Sequence, residues 1–116
     1  MKPQTPYYAV VFTSRRTSQE EGSYAAMAAE MMELARKQPG FLGVDHAREA
    51  VGITVSYWES LQNIADWKSQ TRHKFAQERG RDQWYESYTI RICRVEREYS
   101  FERMSQEKAE NDSGRS

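Results

Sequence analysis

The sequence predicts one α+β domain of order β-α-β-β-α-β, the split βαβ or ferredoxin-like arrangement, with two helices on one face of a four-stranded antiparallel sheet. Three observations predict it. Runs rich in β-branched and aromatic residues open and close the domain, at 7–13 and 87–101. Two stretches with apolar residues at helical spacing lie between them. Between those helices, two short alternating stretches sit close enough to pair as a hairpin.

The first strand, 7–13, is apolar on both parities, which suits a strand covered on both faces. A polar loop is expected at 15–22. Tyr24, Met27, Ala28, Met31, Leu34 and Ala35 then form a helical stripe, and Gln38-Pro39-Gly40 stops the helix. The second strand, 41–49, places Leu42, Val44 and His46 on one parity, so His46 is expected to point into an apolar face. A turn at Ala50-Val51-Gly52 leads into the third strand, where Ile53, Val55 and Tyr57 alternate with Thr54, Ser56 and Trp58. Ser60 is a suitable N-cap for a second helix carrying Leu61, Ile64, Trp67, Thr71 and Phe75, which weakens at Gly80. In the last strand the apolar parity switches from Tyr88, Ile90 and Ile92 to Cys93, Val95, Tyr99 and Phe101, which predicts a bulge. Cys93 in mid-strand reads as a small buried hydrophobe.

Length and composition narrow the class. At 116 residues and 13.6 kDa there is room for one domain, read as 7–101 with a short disordered N-terminus at 1–6 and a flexible polar tail at 102–116. Lys plus Arg equals Asp plus Glu at 17 each, so no basic surplus exists to neutralise phosphates, and a nucleic-acid partner is not expected. An RNA-binding module of the same topology is disfavoured further, because the stretch from Gly40 to Val44 lacks a basic lead residue. A mean hydropathy of -0.94 and the lack of a long apolar run argue against a membrane span, and the start lacks a signal-peptide apolar region. With a single cysteine the reading is a cytoplasmic protein. His46, His73 and Cys93 lack metal-ligand spacing, and no zinc site is expected. Both helices cover one sheet face, yet strands one, three and four carry large apolar residues on both parities. The bare face predicts a homodimer, sheet against sheet. Fourteen aromatic residues (12%) either fill this core and interface or line a flat ligand pocket.

Several of these residues recur in order in a known family. The run from Pro39 to Val44, the strand ending Tyr57-Trp58-Glu59-Ser60, and a helix with Asn63, Trp67 and His73 resemble the antibiotic biosynthesis monooxygenase (ABM) domain. Trp84-Tyr85 and the strand that follows add to the likeness, which covers about 7–101. The resemblance implies a dimeric α/β barrel of two facing sheets, and a small-molecule pocket between helices and sheet. It implies a cofactor-independent monooxygenase acting on a small aromatic or phenolic compound, with no flavin and no metal. Asn63 and Trp67 match the family's pocket Asn and Trp, while His73 stands where the family has Tyr. In that reading Asn63 stabilises a developing oxyanion, Trp67 stacks on the substrate and His73 is the general base. His46, Tyr57 and Trp58 are candidate substrate contacts. Each has a plainer reading: Trp67 lies on the apolar stripe, Asn63 is a first-turn polar residue, and His73 is flanked by Arg72 and Lys74. The haem-degrading branch of the family fits worse, since the first strand has no Asn and the tenth residue beyond Trp67 is Gln77. The competing reading is a non-catalytic dimeric small-molecule-binding or stress-response domain.

Overall fold

The structure, a computed structural model, describes residues 3–17, 21–78 and 84–103, with side chains described for 3–17, 24–71 and 84–103. Its elements are β1 (Tyr7–Arg16), α1 (Glu21–Arg36), β2 (Phe41–Arg48), β3 (Gly52–Trp58), α2 (Leu61–Glu78) and β4 (Tyr85–Val95). The predicted weak point at Gly80 and the tail beyond residue 103 lie outside the described residues. All four strands join one antiparallel sheet in the order β2-β3-β1-β4, which puts the first and third strands at its centre. Among the described residues no helix is long and apolar enough to cross a membrane.

Register assigns the faces. Tyr8 lies opposite Trp58 and Arg94, and Phe12 lies opposite Thr54 and Ile90. Phe12 and Tyr88 pack on the cluster of Met27, Trp84 and Tyr85, while Trp58 stacks on Trp67 of α2. Even-numbered positions of β1 and β3, and of β4 from Tyr88 onward, therefore face the helices, because side chains alternate along a strand, and the register shift between Arg15 and Arg16 puts Tyr85 on the same side. Tyr7, Ala9, Val55, Tyr57, Cys93 and Val95 lie on the other face.

Three expectations are corrected. β4 ends at Val95 and residues 96–103 carry no regular structure, so the parity switch after Ile92 is not a bulge. Pairing with β1 runs unbroken from Tyr7–Val95 to Arg15–Ser87, and its one register shift falls between Arg15 and Arg16, within a β1 longer than the composition suggested. The switch instead records apolar side chains on both faces of an edge strand. Cys93 is exposed, because its face is uncovered in a single chain. His46 is exposed as well: it sits on the helix-side parity but near the far end of edge strand β2, beyond the cover that α2 gives Trp58. Exposed apolar surface is thus not confined to the open face. Ile53 is 43% exposed there, while Ile90 and Ile92, on the helix-side parity of β4, are 49% and 50% exposed.

Candidate functional site

The start of α2 is fixed by a reciprocal cap. Ser60 Oγ accepts a hydrogen bond from the Asn63 backbone N–H at 3.1 Å and donates its own proton to Asn63 Oδ1 at 2.7 Å. This satisfies one of the N–H groups that every helix start leaves unpaired. Gly40, at φ +84°, passes directly beneath the Asn63 amide, in space that a Cβ would need. Its carbonyl accepts from the Glu59 N–H at 2.8 Å, tying the end of α1 to the entry of α2. Asn63 thus has a structural duty, and the Nδ2 hydrogens are what it has left to donate.

Trp58 and Trp67 sit together. Their rings are stacked 5.9 Å apart at 27°, and Phe41 meets Trp58 edge-on at 5.3 Å. Trp58 is fully buried and its indole N–H donates to Ser56 Oγ at 2.9 Å. Trp58 is therefore core, and Trp67, half-buried, covers it. The i, i+4 spacing does put Asn63 and Trp67 on one face of α2. His73 is on α2, two turns beyond, and its side chain lies outside the described residues. His46, on β2, pairs with Thr54 and stands apart from this group.

Tyr57 belongs to a different place. It lies on the open face, where its hydroxyl donates to Asp45 Oδ2 at 2.8 Å and its ring meets Tyr7 edge-on at 6.1 Å. Tyr7 is only 6% exposed, and Glu98, on the segment after β4, acts on its phenol. These residues line an open cleft of about 490 Å³, with Leu42 and Val95 as apolar walls and Arg97 and Tyr99 also in its lining. Trp67, Asn63 and His46 do not line it. Sequence reasoning missed Tyr7, Asp45 and Glu98; parity puts Tyr7 and Tyr57 on the same face, but only the strand order makes them neighbours. Among the described residues no three His, Cys, Asp or Glu side chains come together in a metal-binding group.

The phenols of this face and the core are held protonated. Burial, then the hydrogen bond to Asp45 and the negative charges of Asp45 and Glu98, push Tyr57 from 10.0 up to about 12. Burial and Glu98 raise Tyr7. Burial also raises Tyr85 strongly, with the hydrogen bond to Tyr24 adding to it and Arg48 and Arg16 opposing. Above about pH 10 the unfolded chain sheds phenolic protons that the folded chain keeps, so stability is fully present below that pH and falls as pH rises towards 12. Denaturation midpoints measured on either side of pH 10 are expected to drop with pH, and Tyr57→Phe is expected to flatten the slope. An unchanged slope in that variant would contradict the Tyr57 assignment.

A β2-β3-β1-β4 sheet with both helices on one face is the fold of the ABM domain. A Nitrosomonas europaea protein assigned as an antibiotic biosynthesis monooxygenase superposes with a TM-score of 0.64 at 11% identity, over 79% of this chain and 92% of that one. SnoaB, a cofactor-independent oxygenase from Streptomyces nogalater, superposes with a TM-score of 0.60 at 13% identity, over 83% and 97%. The chain belongs to the family of the uncharacterized Bacillus subtilis protein YqjZ, to which it is 48% identical over 102 residues, 86% of this chain and 89% of that protein. The jasmonate monooxygenase ABM of Pyricularia oryzae is 25% identical over 92 residues, covering 76% of this chain but only 43% of its own length. No family model matches the chain.

Proposed function

We propose that the protein is a cofactor-independent monooxygenase of the ABM type, taking a small aromatic or phenolic substrate and O₂ without flavin or metal. The observation that carries this is the likeness to oxygenases: the fold of SnoaB and the sequence similarity to the jasmonate monooxygenase. A phenol plus O₂ gives a quinone plus water, a balance that needs no added reductant. In this reading His73 removes the phenolic proton, Trp67 offers a ring face to the substrate, and the Asn63 Nδ2 hydrogens stabilise the developing oxyanion. The Ser60 hydroxyl on Asn63 Oδ1 supports that role by fixing the amide's orientation. Oxygen uptake with a panel of phenols and hydroquinones tests it. Uptake is expected with the wild type, and a loss of about 100-fold with His73→Ala, the usual contribution of a general base. Trp67→Phe is expected to lower uptake as well. Activity that neither substitution reduces would remove the site from α2, and no uptake with any of the panel would favour a non-catalytic binding domain.

The proposal includes a homodimer through the open face. Exposed Ile53 and Cys93 lie there beside Val11 and Val55, a surface that a second copy would take out of water. The protein's own segment after β4 shields only the Tyr7 end of that face. Light scattering at micromolar concentration is expected to give twice the chain mass; a monomeric mass would overturn the dimer. Cytoplasmic residence belongs to the same reading.

A further inference from the structure

We infer that the open-face cleft is a binding site for a small planar cation, an aryl amidine, separate from the helix-side residues assigned to oxygen chemistry. The inference does not rest on the oxygenase reading. It rests on what the cleft presents. Its volume of about 490 Å³ falls in the range of small-molecule sites. Two tyrosine rings set at 78° to each other form one wall, and Leu42 and Val95 form apolar walls, so a flat hydrocarbon part has surfaces to rest on.

The polar groups decide the sign of the head. Of the three phenols that line the cleft, Tyr57 donates its hydroxyl to Asp45, Tyr7 lies in the field of Glu98, and Tyr99 is exposed. Each carboxylate keeps lone pairs that can accept further hydrogen bonds, and so does each phenol oxygen. The cleft therefore sets two carboxylates, Asp45 and Glu98, against the Arg97 guanidinium and the Tyr99 hydroxyl as its donors. Asp45, Glu98 and Arg97 sum to one negative charge. Because both carboxylates act on Tyr57, a single cationic head beside that ring is within the field of both. A cation also gains from the ring faces. A carboxylate ligand would meet like charge and find acceptors where it needs donors. The phenolic substrate class of the oxygenase reading brings one donor and no charge, and gains less than a cation from this arrangement.

The test uses three probes of one shape: benzamidine, benzyl alcohol and benzoate, titrated into the full chain and followed by proton NMR of the tyrosine rings. Benzamidine is expected to bind saturably and to shift the Tyr7 and Tyr57 signals, with benzyl alcohol weaker and benzoate weakest. Asp45→Asn is expected to weaken benzamidine about 10-fold, the scale of one charge-assisted hydrogen bond. Glu98→Gln, on a different segment, gives an independent answer should the first variant fail to fold. Asp66→Asn, which removes an exposed carboxylate on α2, is expected to leave the affinity unchanged and so separates a local effect from overall charge. Equal binding of benzoate, no saturable benzamidine binding at millimolar concentration, or full affinity in both Asp45→Asn and Glu98→Gln would overturn the inference. Oxygen uptake plays no part in this readout, so either reading can fail alone.

Discussion

Replacing Trp58 with Ala is expected to destabilise the domain by about 3–5 kcal/mol, the usual cost of emptying a buried aromatic site. Trp58 is 0% exposed and lies where β3, β2 and α2 meet. Its removal strips Trp67 of its stacking partner and Phe41 of its edge contact, and leaves Ser56 Oγ without its indole donor. α2 touches the sheet mainly through β3, so the void opens where the helix is anchored. Against a total stability of about 5–15 kcal/mol for an ordinary domain, that loss leaves a chain that is partly unfolded on mild heating. Trp58→Phe keeps most of the ring and is expected to cost much less. Urea midpoints for the two variants check this; a loss below about 1 kcal/mol in Trp58→Ala would mean that the tryptophan is not a core residue.

The second large effect is expected at Gly40. Two penalties combine in Gly40→Ala. A backbone at φ +84° suits glycine and costs a side-chain-bearing residue about 1–2 kcal/mol. The new methyl group also meets the Asn63 amide, which must move and so loosens the Ser60 cap, worth about 1 kcal/mol. The sum is about 2–3 kcal/mol. Because the second penalty runs through Asn63, a double-mutant cycle separates them. In an Asn63→Ala background, Gly40→Ala is expected to cost about 1 kcal/mol less than in the wild type. Strict additivity would show that the contact between the two is not what limits the site. The same variants bear on the oxygenase reading, since displacing the Asn63 amide also removes the donor proposed for the oxyanion.

Much of the fold was legible because it depends on short-range patterns. The Pro39-Gly40 stop, the Ser60 cap and the stripe through Ile64 and Trp67 are local signals, and each marks the boundary or face that the structure shows. The strand alternation of β3 likewise identified Trp58 and Tyr57 as lying on opposite faces. Failures came where a neighbour across the sheet decides. His46 shares a parity with Val44, yet parity states only which face a side chain takes and not whether anything covers it. The parity switch after Ile92 was read as a bulge because a one-dimensional pattern cannot distinguish a kinked strand from an edge strand with apolar groups on both sides. The candidate site divides the same way. Asn63 and Trp67 could be grouped from spacing on one helix, whereas Tyr57 was placed with them and the register puts it on the other face.

Sequence alone determined the element order, the end of α1, the start of α2, the two-faced apolar character of the sheet and the likeness to ABM domains, since propensity, capping and periodicity all act over a few residues. Tertiary structure alone decided which residues meet across strands. Glu98 comes to Tyr7 only after β4 has paired with β1, bringing together positions some ninety residues apart along the chain, whereas Asp45 and Tyr57, 12 residues apart, meet across the β2-β3 hairpin. Long-range pairing is set by the packing of the whole sheet, and no local pattern encodes it.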